Sequence, residues 1–226
     1  MKEIRNLGNE NRPVSITPSG FFGDSSDNIV EIQNFMSPEE LEIVSNFARS
    51  IEQWDETITK YNEDGTIIYD SLYWKDRVLT SKGLSEQSPE VYSIIENLMN
   101  ILQPIIQDFF NLEETKPTPP AIVRWFPGQK QLPHADKELH EGDNAGKPND
   151  FPHYDLASLF YLNDDYEGGE LYFPNQGIKF KPKAGFAYFF PGDMNYIHGV
   201  TEVVSGIRYT CPFFWTILKH KDNSNE

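Results

Sequence analysis

A mostly β fold with buttressing helices is predicted by three observations. Two segments near the start of the chain, each opened by Ser-Pro-Glu, carry apolar residues at helical spacing. From residue 121 onward the apolar period shortens to two, and the helical pattern does not return. In that second part, His134-x-Asp136 follows a strand-like run. Residues i and i+2 of a strand point to one face, with Cα atoms roughly 6–7 Å apart, so both side chains can lean towards one ion. The 226 residues show no internal repeat and no linker, and they suffice for one domain with a full core.

Taken in order, residues 1–28 are polar and rich in Gly, Pro, Asn and Ser, which suggests a loosely attached arm. The domain, 29–218, opens with a short strand, IVEI. Ser37 then caps a helix with Pro38 at its first position and Glu40 at its third, a capping box. Leu41, Val44, Phe47, Ala48 and Ile51 form its apolar stripe. Residues 55–80 hold two strand-like runs around Asp64-Gly65, a hairpin signal. Ser88-Pro89-Glu90 starts a second helix reaching about Leu112, with Val91, Ile94, Ile95, Leu98, Leu102, Ile105, Ile106 and Phe109 on its buried side. Pro104 falls inside that pattern and is expected to kink or break it. KPTPP ends the helical support (29–118), the β core fills 119–218, and KHKDNSNE (219–226) reads as a disordered polar tail.

The formal net charge is −16, which argues against nucleic-acid and anionic-membrane surfaces, since those need clustered Lys and Arg. Cys211 is the only cysteine, so no internal disulfide forms, and a reducing compartment fits. The first residues carry no apolar run, and no stretch approaches the ~20 apolar residues of a membrane span. The expected location is cytoplasmic.

Two imidazoles and one carboxylate form the facial triad that holds non-haem Fe(II) and leaves coordination positions open. His134 and Asp136 supply two members, and His140, His153 and His198 compete for the third. His140 and His153 sit in a polar run rich in Gly, Pro and Asn and read as exposed loop histidines at the substrate mouth. His198 lies between strand-like runs, the better scaffold for a ligand. Arg208 stands among Ile207, Tyr209, Phe213, Phe214 and Trp215. A buried arginine needs an anion, and its planar fork suits a dicarboxylate; a structural ion pair is the alternative. Arg208 and Thr210 share a strand face.

The segment VRWFPGQKQLPHAD, with Arg124, Pro127, Gly128, Gln129, Pro133 and His134, resembles the Fe(II)- and 2-oxoglutarate-dependent oxygenases in their prolyl 4-hydroxylase-like branch. So do SLFYLNDDYEGGELYFP, KPKAGFAYFFP and the His198 to Arg208 segment. The ordered set H-x-D, G-G-E-x-x-F, H-x9-R carries the resemblance, which covers 121–215 and reaches weakly back to residue 29. The resemblance implies an eight-stranded jelly roll, the cupin-like double-stranded β-helix. It implies Fe(II) on His134, Asp136 and His198, where Arg208 stands at the family distance from His198. It implies 2-oxoglutarate held by Arg208, Thr210 and Tyr161, with O2 as second co-substrate and ascorbate as a candidate reductant. It also makes Tyr69, Tyr73 and Trp74 candidate substrate contacts. Prolyl residues of a peptide or protein are the expected substrate. A free amino acid or small metabolite, or a metal-binding cupin module without turnover, are the alternatives. Arginine rather than lysine at 208 resembles the hypoxia-factor or bacterial type, and Trp125 stands where the family usually has tyrosine.

Overall fold

The computed structural model describes residues 15–55 and 74–221. Helices α1 (Pro38–Ser50), α2 (Ser81–Gln87) and α3 (Pro89–Phe109) precede most of the strands. The expected capping box is present: the Ser37 hydroxyl accepts from the Glu40 N–H, and the Glu40 carboxylate accepts from the Ser37 N–H. Ser88 caps α3 through the Val91 N–H. Pro104 does not break α3, which runs through it. Its ring sits on the exposed side, so only one backbone hydrogen bond is lost and no core contact. Ile105 and Phe109 are correspondingly exposed rather than buried.

The strands are β1 (Val30–Ile32), β2 (Val78–Leu79), β3 (Leu112–Pro117), β4 (Ile122–Trp125), β5 (Gln131–His134), β6 (Leu156–Tyr161) and β7 (Glu167–Gly168). They continue as β8 (Leu171–Phe173), β9 (Ile178–Phe180), β10 (Ala187–Pro191), β11 (His198–Val200), β12 (Val203–Ser205) and β13 (Arg208–His220). The larger sheet has the order β1-β10-β6-β13-β4-β2, with β3 added on the far half of β13; the smaller has β5-β11-β8-β9. Four central strands of the first, β10-β6-β13-β4, face the four of the second. This is the expected eight-stranded double-stranded β-helix, widened by β1, β2 and β3.

Strand alternation separates two interiors. Along β13, Tyr209, Cys211, Phe213, Trp215 and Ile217 join Phe160 and Phe189 in the core covered by the helices, beside Val44, Ile95, Leu98, Leu102 and Ile106. The opposite face of the larger sheet turns inward. There Ala157, Phe190 and Phe214 meet Leu171, Phe173 and Val200 of the smaller sheet.

Three expectations about extent are corrected. Residues 15–28 are not loose, since Ser15, Thr17, Ser19 and Gly20 bond to Asp155, Lys137, Glu138 and Asp193 of the β core. Lys219 and His220 belong to β13 rather than to a tail, because β3 extends the ladder for them. Strand β3 occupies the end of the segment read as helical support, and helix α2 falls between the expected hairpin and the second expected helix. The hairpin around Asp64-Gly65, with Tyr69 and Tyr73, lies outside the described residues.

Candidate active site

His134 ends β5 and His198 begins β11, and the two are direct cross-strand partners. Their rings lie 4.5 Å apart between centroids. Residues 131–134 span the same length of ladder as 198–200, so the register shifts between them. A bulge of this kind re-aims side chains at a barrel mouth. Each imidazole is held the same way: Nδ1 of His134 bonds to the Leu132 carbonyl (3.0 Å) and Nδ1 of His198 to the Tyr196 carbonyl (3.1 Å). With Nδ1–H donating, Nε2 keeps its lone pair for a metal. Phe173 and Phe190 pack on the His198 ring from inside the barrel.

Asp136 was expected on the strand with His134. It lies beyond the end of β5. Its N–H donates to the Gly192 carbonyl, and its carbonyl accepts from Asn149 Nδ2. Gly192 has no room for a side chain, since a Cβ would stand 2.3 Å from the Tyr154 carbonyl oxygen and 3.1 Å from Asp136 Cβ. Asp136 Oδ1 lies 3.6 Å from Nε2 of His134 and 3.8 Å from Nε2 of His198. These separations are too long for hydrogen bonds. They suit ligands of one ion, whose donor atoms at about 2.1 Å from the metal can be at most about 4.2 Å apart. Asp136 Oδ2 is buried without a hydrogen-bond partner. Burial pushes the Asp136 carboxyl up to about 6, against the pull of His134. Burial also lowers both imidazoles to about 4, aided at His134 by its neighbour His198. Neutral imidazoles beside an unpartnered carboxylate oxygen fit a divalent cation: the charge it brings offsets the desolvation each group suffers. Among the described residues these three form the group that could hold a metal ion.

His140 stays apart, 3.5 Å from Glu141 in the 139–147 excursion. His153 is not exposed; it is 5% accessible, and its carbonyl accepts from the Thr216 hydroxyl. The aromatic run around it, Tyr154 and Phe214 stacked at 4.0 Å, explains that burial.

Arg208 is 1% exposed on the inner face of β13. Its Nη2 donates to the Tyr161 hydroxyl at 2.6 Å, while its Nε has no partner. Among the described residues no carboxylate lies within ion-pair reach of it. The structural ion pair is therefore excluded within that set, and the cradle fits an exogenous carboxylate. Thr210 is buried two residues on, opposite Tyr161 in register. Trp125 faces Arg208 across β4 and β13, and the guanidiniums of Arg208 and Arg77 lie 5.4 and 4.2 Å from its ring. Trp74 meets the same indole edge-on.

The Gly168-Gly169 pair is more than a turn. Both have positive φ, and a Cβ on Gly169 would press on Tyr166 and on Arg208 Cδ at 3.1 Å. Tyr166 beside Arg208 was not foreseen. Its only trace in the sequence is its place just before the two glycines, where close backbone approach is the usual reason for glycine.

Residues 121–216 match the model of the 2OG-Fe(II) oxygenase superfamily. The segment is a 2OG-Fe(II) oxygenase domain. Chemistry of this family uses Fe(II), 2-oxoglutarate and O2, and His134, Asp136 and His198 form a possible iron site. Prolyl 4-hydroxylase 1 of Arabidopsis thaliana is 27% identical over 82% of this chain and 67% of its own length. A putative prolyl 4-hydroxylase of Acanthamoeba polyphaga mimivirus is 32% identical over 47% of this chain and 41% of its own. In fold, the chain is similar to a prolyl hydroxylase from Trichoplax adhaerens, solved with a hypoxia inducible factor peptide fragment. The TM-score is 0.60 at 16% identity, covering 85% of this chain and 84% of that one. The oxygenase domain is thus similar to prolyl 4-hydroxylases in sequence and to a prolyl hydroxylase in fold.

Proposed function

We propose that this chain hydroxylates prolyl residues in a peptide or protein, with His134, Asp136 and His198 as iron ligands. Arg208, Tyr161 and Thr210 hold the far carboxylate of 2-oxoglutarate. The observation that carries the reading is the buried Arg208 guanidinium with an unpartnered Nε, in the same barrel as two neutral imidazoles and an unpartnered carboxylate oxygen. When bound, iron and 2-oxoglutarate supply coupled oxidation: O2 is consumed, succinate and CO2 leave, and the substrate gains one oxygen atom. The chain's own residues orient and enclose. Leu132 and Tyr196 carbonyls fix the two rings, Gly192 fixes Asp136, and Phe173 and Phe190 keep water from the inner side of His198.

The relatives named as prolyl hydroxylases support the choice of substrate class. A cytoplasmic, reducing setting is part of the same reading, supported by the single cysteine, Cys211, buried in the helical core. The test combines metal content with product. Wild type should bind one Fe(II) per chain, release succinate, and add 16 Da to a prolyl peptide drawn from a panel. Asp136→Ala should abolish turnover, whereas His140→Ala should leave iron content unchanged. Loss of iron in His140→Ala with retention in His198→Ala would overturn the ligand set.

A further inference from the structure

Directly after Asp136 the chain buries a lysine. Lys137 Nζ lies 2.5 Å from Asp155 Oδ1 and donates to the Thr17 carbonyl at 2.8 Å. Its side chain is 7% exposed and that of Asp155 0%. Ser15 Oγ donates to the same carboxylate oxygen at 2.6 Å, so residues 15–20 form a strap over the pair. Ser19 extends the strap to Glu138, and Gly20 extends it to Asp193.

The carboxylate of Asp155 also reaches the middle of the fold. Its Oδ2 accepts from the Ile217 N–H on β13, and its N–H donates to the Trp215 carbonyl. Its carbonyl accepts from the Gly192 N–H. Gly192 in turn accepts at its carbonyl from both Asp136 and Lys137. One buried ion pair therefore joins the central strand, the Gly192 turn and the segment carrying Asp136.

A buried pair of this kind is weak evidence for stability, because desolvation offsets most of its attraction; its best-attested use is to fix geometry. Here the geometry in need of fixing is plain. Asp136 has left the β5 ladder and keeps only two backbone bonds of its own. We propose that Lys137 and Asp155, closed over by the strap at Ser15 and Thr17, are positioning residues that hold the Asp136 carboxylate within reach of both imidazoles. The proposal rests on the reading of His134, Asp136 and His198 as metal ligands.

The test is calorimetric titration of Mn(II) into the metal-free 226-residue chain, with a melting curve of each metal-free variant. Lys137→Met strands a buried carboxylate, so it is paired with the double variant Lys137→Met/Asp155→Asn, which removes both charges. Both should bind Mn(II) roughly ten- to a hundredfold more weakly, the range found for residues that orient ligands from behind. Lys137→Arg should recover most of the affinity. A double variant with wild-type Mn(II) affinity would overturn the positioning role. So would one that no longer melts cooperatively, since the pair would then hold the fold rather than the ligand. Wild type that binds no Mn(II) would instead sink the ligand reading, and the two failures are distinct.

Discussion

Arg208 poses the sharpest question that a single residue can pose here. A guanidinium taken out of water with no carboxylate beside it among the described residues is costly, and a dicarboxylate would relieve that cost. Removing one side of such a buried charged pair costs about 2–5 kcal/mol. At 1.4 kcal/mol per decade, Arg208→Ala should weaken 2-oxoglutarate binding roughly thirty-fold to several-thousand-fold. Arg208→Lys should recover part, because charge returns without the fork. Titration of 2-oxoglutarate into anaerobic Mn(II)-loaded protein decides it, with Mn(II) affinity expected to be unchanged in both variants. An unaltered dissociation constant in folded Arg208→Ala protein would remove the co-substrate role. His134, Asp136, His198 and Arg208 can be singled out in the sequence by residue type and spacing, and the structure brings the first three together and buries the fourth. Lys137, Asp155 and Tyr166 cannot be singled out in this way, because each acts through a partner more than ten residues away.

At the scale of elements, capping chemistry and period were readable. Ser37 and Ser88 start α1 and α3 where their hydroxyls meet the N3 backbone, and the two-residue period begins with β4. What local pattern could not convey was pairing. Leu112–Pro117 is a strand only because β13 is long enough to receive it, and Asp136 leaves its strand because Gly192 claims its N–H. Pro104 inside α3 shows the limit of a propensity argument. The missing N–H falls on the exposed side, and the buried side, with Leu102 and Ile106, holds the helix together. Replacing Pro104 by Ala should restore the bond and raise stability by about 1–3 kcal/mol. For a chain of this size each kcal/mol moves Tm by roughly 2–4 °C, so calorimetry should show a clear upward shift. A lower Tm for Pro104→Ala would mean that the helix is shaped around the proline.

For the whole molecule, the site joins the two sheets. The proposed ligands come from the smaller sheet and the turn behind it, and Arg208 with Tyr161 comes from the larger. Metal binding should therefore stabilise the folded state as a unit. At one hundred times its dissociation constant, Mn(II) should add about 2.7 kcal/mol. That corresponds to a rise in Tm of roughly 5–11 °C. The rise should vanish in His198→Ala, whose metal-free form should melt close to metal-free wild type. Equal shifts in both proteins would place the stabilising ion elsewhere.

Strand β13 carries a kinetic consequence. It lies between β6 and β4 in the sheet and also receives β3, yet its residues, 208–220, follow all of those partners in the chain. As the polypeptide leaves the ribosome, β4 and β6 wait with open edges until their shared neighbour emerges, at about 5–20 residues per second. High contact order of this kind slows folding, because loop closure precedes the reward of pairing. During that interval the exposed apolar rows of β6 and β10 are the surfaces on which a chaperone, or another nascent copy, would act.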